Sequence, residues 1–158
     1  MAEFTKNEYQ VVQPNQPVTL NTSIGCNKGY VYHRNGSGIV TLRGISNSPC
    51  GFARYQVTFN GNIAVPTGAT VGPISVSLAL DGEPILTSRA IVTPAAVAAD
   101  PPTQNNFFNV TSTAIIDVPK CCCMNVSVEN TSESATPATV PAPAILVQNA
   151  NLTVTRIA

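Results

Sequence analysis

Apolar residues alternate with Ser, Thr, Asn or Ala along short stretches that recur through most of the chain. Residues 74–80, Ile-Ser-Val-Ser-Leu-Ala-Leu, show this pattern most clearly. An Asp81-Gly82 pair follows, and residues 84–92 are again suited to a strand, which together predict a β-hairpin. The same alternation predicts further strands at residues 18–24, 54–60, 107–118 and 123–130.

The spacing of these strands predicts the fold. Roughly nine or ten short strands, about 8–12 residues apart and without a long helix, are typical of a β-sandwich or barrel. The Pro/Ala-rich residues 93–104 can cross between sheets, with room for one helical turn at residues 95–99. We therefore expect an all-β jelly-roll sandwich with Greek-key topology. Residues 18–158 would form this single domain, and residues 1–17 either an extended N-terminal arm or the first edge strand.

Charged residues are scarce, which limits the classes of partner. The 158 residues include 8 Lys+Arg and 8 Asp+Glu, so charged residues make up 10% of the chain and the net charge is 0. A typical soluble domain is about 25% charged. Because little here would neutralise phosphates, we expect no nucleic-acid partner. A neutral, charge-poor monomer tends to associate, so the composition favours an assembly as the native state.

No membrane or export segment is expected from the sequence. Residues 1–16 are polar and lack the apolar stretch of a secretory signal peptide. No apolar run approaches the roughly 20 residues that a membrane-spanning helix needs. These patterns predict a soluble protein that is made in a cytoplasm and has no membrane partner.

The chain offers few groups for catalysis or metal binding. His33 is the only histidine and adjoins an Asn-Gly turn, so we expect an exposed turn residue and no catalytic residue. The five cysteines lack the paired spacing of a zinc site; they are Cys26, Cys50, Cys121, Cys122 and Cys123. We expect them to be small buried hydrophobic side chains, with no metal and no cofactor.

Two aromatic pairs are the candidate contact residues. Tyr30 and Tyr32 share one face of a strand and suit packing in the core or between subunits; a platform for carbohydrate is the alternative. Phe107 and Phe108 place adjacent rings on opposite faces of a strand. One of these rings should enter the core, and a neighbouring subunit is the simplest cover for the other. All four residues are therefore candidate subunit-interface residues.

Several blocks of sequence resemble small proteins encoded in phages and prophages of Firmicutes, among them Gly29-Tyr-Val-Tyr-His-Arg-Asn-Gly-Ser-Gly-Ile-Val-Thr-Leu-Arg-Gly44, Val71-Gly-Pro-Ile-Ser-Val-Ser-Leu-Ala-Leu-Asp-Gly-Glu83 and Val147-Gln-Asn-Ala-Asn-Leu-Thr-Val154. The resemblance covers most of the chain after about Cys26. It implies a jelly roll of the tumour necrosis factor or complement globular-head type, a class that forms homotrimers, which are a closed symmetric assembly.

The resemblance also implies a function and a location. The chain would be a virion structural protein, a capsid decoration protein or head fibre, made in the host cytoplasm and placed on the capsid exterior. Its partners would be further copies of itself and the major capsid protein. The candidate residues that anchor the chain to the capsid lie in the N-terminal arm; they are Phe4, Tyr9, Val11 and Val12.

Two other functions stay open at this point. A carbohydrate-binding or adhesin module, on a virion or a spore surface, would use Tyr30, Tyr32 and the turn around Arg34 to contact a host-surface glycan. An enzyme on a jelly-roll scaffold would have His33 as its last candidate base. The single histidine argues against the enzyme.

Overall fold

The computed structural model describes residues 1–25, 29–45, 51–134 and 140–158. Within these residues the chain forms β-strands and one short 3-10 turn at Leu86–Ser88. The strands in chain order are β1 (Ala2–Lys6), β2 (Gln10–Val12), β3 (Thr22–Ile24), β4 (Val31–His33), β5 (Val40–Arg43), β6 (Phe52–Ala64), β7 (Ile74–Leu80), β8 (Glu83–Pro84), β9 (Ala90–Val92), β10 (Phe108–Pro119), β11 (Cys123–Asn130) and β12 (Ile145–Arg156). No helix in the described part of the chain is long and apolar enough to cross a bilayer.

These strands pair antiparallel in two sheets. Sheet A has the order β10-β6-β12-β1-β3, and β2 pairs with the start of β12. Sheet B has the order β4-β5-β11-β7-β8, and β9 pairs with the start of β7. Neighbouring strands are mostly distant in sequence, because the chain crosses repeatedly between the sheets. This is the jelly-roll sandwich with Greek-key connections that the strand spacing predicts.

The core lies between the two sheets and consists of the inward residues of each strand. In β6 these are Tyr55, Val57 and Phe59, none of which has exposed surface. Leu42 of β5 and Leu78 of β7 contribute from sheet B and are equally buried. Fully burying such a side chain contributes about 1.5–3 kcal/mol relative to exposure, so this layer provides the main drive for folding.

The hairpin predicted at residues 74–92 is present, but its return strand is divided. β7 turns at Asp81 and Gly82 into β8, and the chain pairs with β7 again only at β9. Between them, Ser88 Oγ accepts a hydrogen bond from Leu78 N at 3.0 Å. The Ser88 hydroxyl therefore replaces a backbone carbonyl where the 3-10 turn interrupts the ladder.

The connection from β9 to β10 contains no helical turn at residues 95–99, which corrects the expectation from its Ala-rich sequence. Ala98 N instead donates to Val65 O at 2.8 Å, and Asn106 Nδ2 donates to Val97 O at 2.9 Å. Because these bonds tie the connection to Val65, which directly follows β6, and to itself, the backbone does not need helical bonds. The connection lies over one end of sheet A.

Two strands of the N-terminal residues 1–17 belong to sheet A. β1 lies inside the sheet between β12 and β3, β2 pairs with the start of β12, and Pro17 bridges to Glu129 of β11 in sheet B. Phe4 and Val12 are buried in the core, which corrects their assignment as capsid-anchoring residues because they have no surface left for a partner. Tyr9 and Val11 are more than half exposed and remain candidate contacts.

The run of three cysteines does not enter the core, contrary to the sequence-based expectation. Cys121, Cys122 and Cys123 are all exposed and carry free thiols. They follow directly on Pro119 and Lys120, and Cys121 adopts a left-handed backbone conformation with φ 65°. This tight turn between β10 and β11 points the thiols outward. Cys26 and Cys50 lie outside the described residues.

Candidate functional site

The outer face of sheet A carries an ordered array of neutral polar side chains. Along β6, β10 and β12 every second residue points away from the core, and most of these outward residues are Asn, Thr or Gln. The register aligns them in rows across the sheet, such as Thr113, Thr58 and Thr153. We call this surface face A; its central residues are Asn60, Asn62, Thr58, Asn109, Thr111, Thr113, Gln148, Asn151 and Thr153.

Side chains on face A hydrogen bond to one another. Asn109 and Asn60 form a reciprocal amide pair, since each Nδ2 donates to the other Oδ1 at 3.2 Å. Asn60 Nδ2 also donates to Thr111 Oγ1 at 2.9 Å, and Asn109 Nδ2 donates to Asn62 Oδ1 at 3.1 Å. Because each amide both donates and accepts, this array fixes the orientation of its members.

A cavity of about 300 Å³ lies at the end of face A nearest the β9–β10 connection. Its described lining consists of five carboxamide side chains and one aromatic ring, namely Asn62, Gln104, Asn109, Gln148, Asn149 and Phe107. The carboxamides come from β6, β10, β12 and the connection, so the fold and not a local motif brings them together. No described lining residue carries a charge.

Phe107 supplies the apolar wall of this cavity. Its ring packs on a small cluster of Ala64, Ala98 and Leu146, separate from the main core. Ala64 and Leu146 are paired residues of β6 and β12, and Ala98 comes from the β9–β10 connection. The connection therefore covers an apolar patch at the end of sheet A and holds the ring beside the carboxamides.

An irregularity in β12 shapes the floor of the cavity. The pairing of β12 with β6 shifts between Gln148 and Asn151, which marks a β-bulge. Asn149 lies in this bulge with a left-handed φ of 53° and accepts a hydrogen bond from Asn62 Nδ2 at 3.3 Å. Bulges of this kind re-aim side chains and are frequent beside functional sites. The bulge here turns Asn149 toward the cavity.

The chemistry of the cavity suits a neutral ligand rich in hydroxyl groups. Carboxamides offer donors and acceptors in one plane and can pair with two neighbouring hydroxyls at once. A half-buried phenyl ring offers an apolar surface of the size of a sugar ring. A charged ligand would find no counter-charge among the described lining residues, and a wholly apolar one would leave the carboxamides unpaired.

The structure separates the two tyrosines that the sequence placed on one strand face. The ring of Tyr30 packs against the core, and Arg156 lies over it at 4.2 Å from the ring centroid. Tyr32 is exposed on the outer face of sheet B. The two rings therefore form no joint platform, and neither borders the carboxamide cavity.

Phe107 and Phe108 do point to opposite faces of sheet A. Phe107 lies on face A in the cavity described above, whereas Phe108 pairs with Ile63 at the start of β10 and is 40% exposed. The β9–β10 connection covers Phe107, so no neighbouring subunit is needed for that purpose. Phe108 remains the candidate interface residue of the two.

His33 is half-buried, which corrects its expected place on an exposed turn. Its Nδ1 lies 3.0 Å from Ser23 Oγ and its Nε2 lies 3.1 Å from Ser37 O. Since a carbonyl only accepts, Nε2 donates to Ser37 O, and the Ser23 hydroxyl also donates to Asn35 Oδ1 at 3.1 Å. Phe4 packs against the ring at 4.8 Å between centroids. The Nδ1 contact thus joins β4 to β3, and the Nε2 contact holds the turn that follows β4.

One ion pair lies on face A, at the end opposite the cavity. Arg54 Nε and Nη2 each donate to a carboxylate oxygen of Asp117 at 2.7 Å. This hydrogen bonding holds the pKa of Asp117 below its usual value of 3.8. The positive charge of Arg54 and the negative charge of Asp117 cancel each other, so most of face A stays neutral.

Sequence reasoning missed the residues of the cavity. No alternation of apolar and polar residues marked Gln148 or Asn149, which the structure places within the single strand β12. Gln104 lies in the connection between β9 and β10, where the sequence shows neither strand nor helix periodicity. The sequence signal for the cavity was the high content of Asn and Gln in residues 104–109 and 148–151. No periodicity shows that these two segments are neighbours in the fold.

A solved structure of similar fold, a complement globular domain, confirms the sandwich. The globular domain of zebrafish complement 1qA protein matches with a TM-score of 0.50 at 15% identity, over 96% of this chain and 94% of that one. The C-terminal domain of EclA, described as a sugar-binding protein, matches with a TM-score of 0.41 at 16% identity, over 95% and 79% of the two chains. No protein-family model and no curated protein sequence matches the chain.

Proposed function

We propose that this chain is a non-catalytic carbohydrate-binding domain that holds a neutral sugar in the carboxamide cavity of face A. The observation that carries this proposal is the convergence of five carboxamides and one phenyl ring on a cavity of about 300 Å³. That volume is at the lower limit of small-molecule sites, so the proposed ligand is a small sugar. The site residues are contributed by several rigid strands, which favours a preformed site.

The hydrogen-bonding state of the cavity supports binding of hydroxyl groups. Asn62 and Asn149 meet at 3.3 Å, a long hydrogen bond that leaves capacity for a stronger one. Gln148 and Gln104 make no side-chain hydrogen bond to any described residue. A sugar would therefore add hydrogen bonds at the cavity without displacing the amide pair of Asn60 and Asn109.

The proposal is tested with an array of neutral oligosaccharides, followed by titration calorimetry with the strongest binder. Asn109→Ala removes a carboxamide of the cavity and should raise the dissociation constant at least about tenfold. Thr113→Ala is the matched control, because Thr113 lies on the same strand and the same face but outside the cavity. The control should bind as the wild type does.

Two outcomes would contradict this function. One is an array on which no oligosaccharide binds the folded protein. The other is an Asn109→Ala protein that binds as tightly as Thr113→Ala. Phe107→Ala provides a second measure, since loss of the ring should weaken binding to a sugar while leaving the strand pairing of β10, which begins at the next residue, in place.

A second candidate function is that of a self-assembling structural protein, the homotrimeric virion component to which the sequence resemblance points. The observation that favours it is the position of exposed apolar residues on face A. Ile24 of β3 and Ile115 of β10 are 52% and 55% exposed and lie on opposite edges of this neutral face. A second copy that packed on face A would bury both residues and need to desolvate few charges.

Sedimentation at micromolar protein concentration tests this second candidate. Ile115→Arg would place a charge on an apolar residue that such an interface buries and should convert the oligomer to a monomer. Ile91→Arg is the matched control, because Ile91 is 58% exposed but lies on β9 of sheet B. A wild-type monomer, or equal effects of the two variants, would exclude assembly through face A.

A further inference from the structure

The two edges of sheet A differ greatly in length. β3 at one edge has three residues, whereas β10 at the other has twelve, all of which pair with β6 without a register shift. In sheet B the outermost strands of the described chain are β4, β8 and β9, which have only two or three residues each. Short edge strands are one means by which proteins prevent pairing with another chain. β10 departs from this rule as a long and regular edge.

The backbone of β10 is unpaired along its outer side. A strand directs half of its N–H and C=O groups to each side, so half of those in β10 point away from β6. Between Phe108 and Val118, no backbone group bonds to any described residue outside β6. The 3-10 turn is joined to β10 only through a side chain, because Ser112 Oγ donates to Ser88 O. A row of unpaired backbone groups is complementary to a further strand.

The side chains along this edge favour contact with another strand. Residues 108–118 contain no Lys or Pro, the residue types that commonly block edge pairing, and most of them are β-branched. Asp117 is their one charged residue, and Arg54 neutralises it. Ile115 on β10 is 55% exposed, and Leu86 in the adjoining 3-10 turn is 71% exposed. Exposed apolar side chains beside an open backbone edge indicate a protein partner.

We infer that β10 pairs antiparallel with β10 of a second copy of this chain, so that two copies of sheet A form one continuous sheet. A register centred on Thr113 overlaps the whole of residues 108–118 and keeps paired side chains on the same face. Thr111 of each copy then lies opposite Ile115 of the other, and Asn109 lies opposite Asp117. The two Asp117 carboxylates are eight residues apart along the strand pair, about 27 Å, so no like charges meet.

This self-complementary register is the reason for assigning the edge to a second copy. Pairing of a strand with itself is isologous and closes at two copies, because each copy uses its one long edge of sheet A. The two-fold axis is perpendicular to the sheet, so face A of both copies lies on the same side and stays open to solvent. The arrangement therefore differs from assembly through face A, which would bury that face.

Sedimentation velocity and hydrogen exchange test the dimer and its location. Both use the wild-type protein over a range of micromolar concentrations, in a reducing buffer that keeps the exposed thiols of Cys121, Cys122 and Cys123 from forming disulfides. We expect a reversible equilibrium between a monomer and a species of twice its mass. Amides of residues 108–118 should exchange more slowly at high than at low concentration, whereas those of β3, at the opposite edge, should not change.

Two double variants connect the dimer to the edge. Thr113→Lys combined with Ile115→Lys puts like charges opposite and diagonal to one another in the strand pair, so the dissociation constant of the dimer should rise at least about tenfold. Thr58→Lys combined with Thr153→Lys is the matched control, because these residues lie in the same row of face A on the inner strands β6 and β12. The control should form dimers as the wild type does.

Four results would overturn this inference. They are a wild type that stays monomeric, exchange in residues 108–118 that does not depend on concentration, a dimer that neither double variant weakens, and equal weakening by both, which would assign the contact to face A. The exchange experiment needs no variant, so it decides the matter even if a lysine variant folds poorly. A monomer can still bind a sugar in the carboxamide cavity, so failure here leaves the proposed carbohydrate site intact.

Discussion

Polar side chains in the core and polar side chains on face A use different hydrogen-bond partners. In the core, Tyr55 Oη donates to Arg43 O at 2.6 Å, and Asn130 Nδ2 donates to Val12 O at 3.0 Å and to Pro143 O at 2.9 Å. On face A, Asn60 and Asn109 bond mainly to other side chains. The core groups thus bind backbone, and the face A groups bind one another.

This difference separates structural polar groups from groups that are available to a ligand. A backbone carbonyl buried in the core cannot be removed by mutation, so the loss of its donor leaves it unsatisfied. Side chains on a solvated face can exchange their partners for water or for a ligand at little cost. Mutations in the core should therefore reduce stability, whereas mutations on face A should change binding and leave stability nearly intact.

Replacing Asn130 should have the largest effect on the free energy of unfolding. Its side chain is fully buried and joins β11 to the last residue of β2 and to Pro143, which precedes β12. Its Oδ1 accepts a hydrogen bond from Ser132 N at 3.0 Å. Asn130→Ala leaves two carbonyls and one N–H without this partner, so we expect a loss of about 3 kcal/mol in the free energy of unfolding. Urea denaturation measures it. A loss below about 1 kcal/mol would show that core polar groups are as replaceable as those on face A.

Tyr55→Phe should cause the next largest loss in the free energy of unfolding. The Tyr55 hydroxyl reaches from β6 of sheet A to the end of β5 in sheet B and also lies 3.2 Å from Tyr30 O. Its removal should cost about 1–2 kcal/mol, because the ring remains and only the hydrogen bonds are lost. Thermal and urea denaturation of the two proteins at neutral pH give the difference.

The pH dependence of Tyr55→Phe provides an internal check. Burial raises the pKa of the Tyr55 hydroxyl above 10.0, and the nearby Arg156 charge offsets part of that increase. The stabilisation by the neutral hydroxyl is therefore complete below pH 10.0 and is lost as the pH rises through the raised pKa. The difference between the two proteins should shrink in alkaline solution. A difference that grows with pH would contradict this assignment.

The sequence predicted the sandwich because its signal is local. Alternation in residues 54–60 and 123–130 reports which side chains face the core, and the Asp81-Gly82 turn reports one hairpin. The position of β1 between β12 and β3 could not be predicted from such local patterns. The buried residues Ala2 and Phe4 alternate with polar ones, but alternation does not show which strands lie beside β1, and β1 pairs with a strand at the other end of the chain.

The site was not predictable for the same physical reason. The carboxamide cavity combines residues from β6, β10, β12 and the β9–β10 connection, so its members become neighbours only after the sheets form. Phe107 was singled out as an aromatic, but its carboxamide neighbours were not. The bulge at Asn149 has no sequence signature beyond a residue type that tolerates a left-handed backbone.

A double variant of Thr58 and Thr113 on face A should change the free energy of unfolding less than Tyr55→Phe does. Thr58 and Thr113 are opposite each other, with their hydroxyl oxygens 3.2 Å apart. Replacing both by Val removes donor and acceptor together and keeps the β-branched shape, so the free energy of unfolding should change by less than about 0.5 kcal/mol. Urea denaturation tests it. A loss as large as that of Tyr55→Phe would mean that the side-chain array of face A supports the fold.

The smallest effect on stability is expected from breaking the exposed ion pair of face A, which joins Arg54 and Asp117. Arg54 donates to both carboxylate oxygens of Asp117, and this contact keeps the pKa of Asp117 below 3.8. Its contribution to stability is therefore present above pH 3.8 and is lost as the pH falls through the lowered pKa. Asp117→Asn should lower the melting temperature slightly at neutral pH and in low salt, and the difference should vanish in acid or in high salt. Arg54 also lies 5.0 Å from the centroid of the Phe52 ring, so it stays ordered in the variant. A melting-temperature difference that survives in acid would show that Asp117 acts through packing and not through its charge.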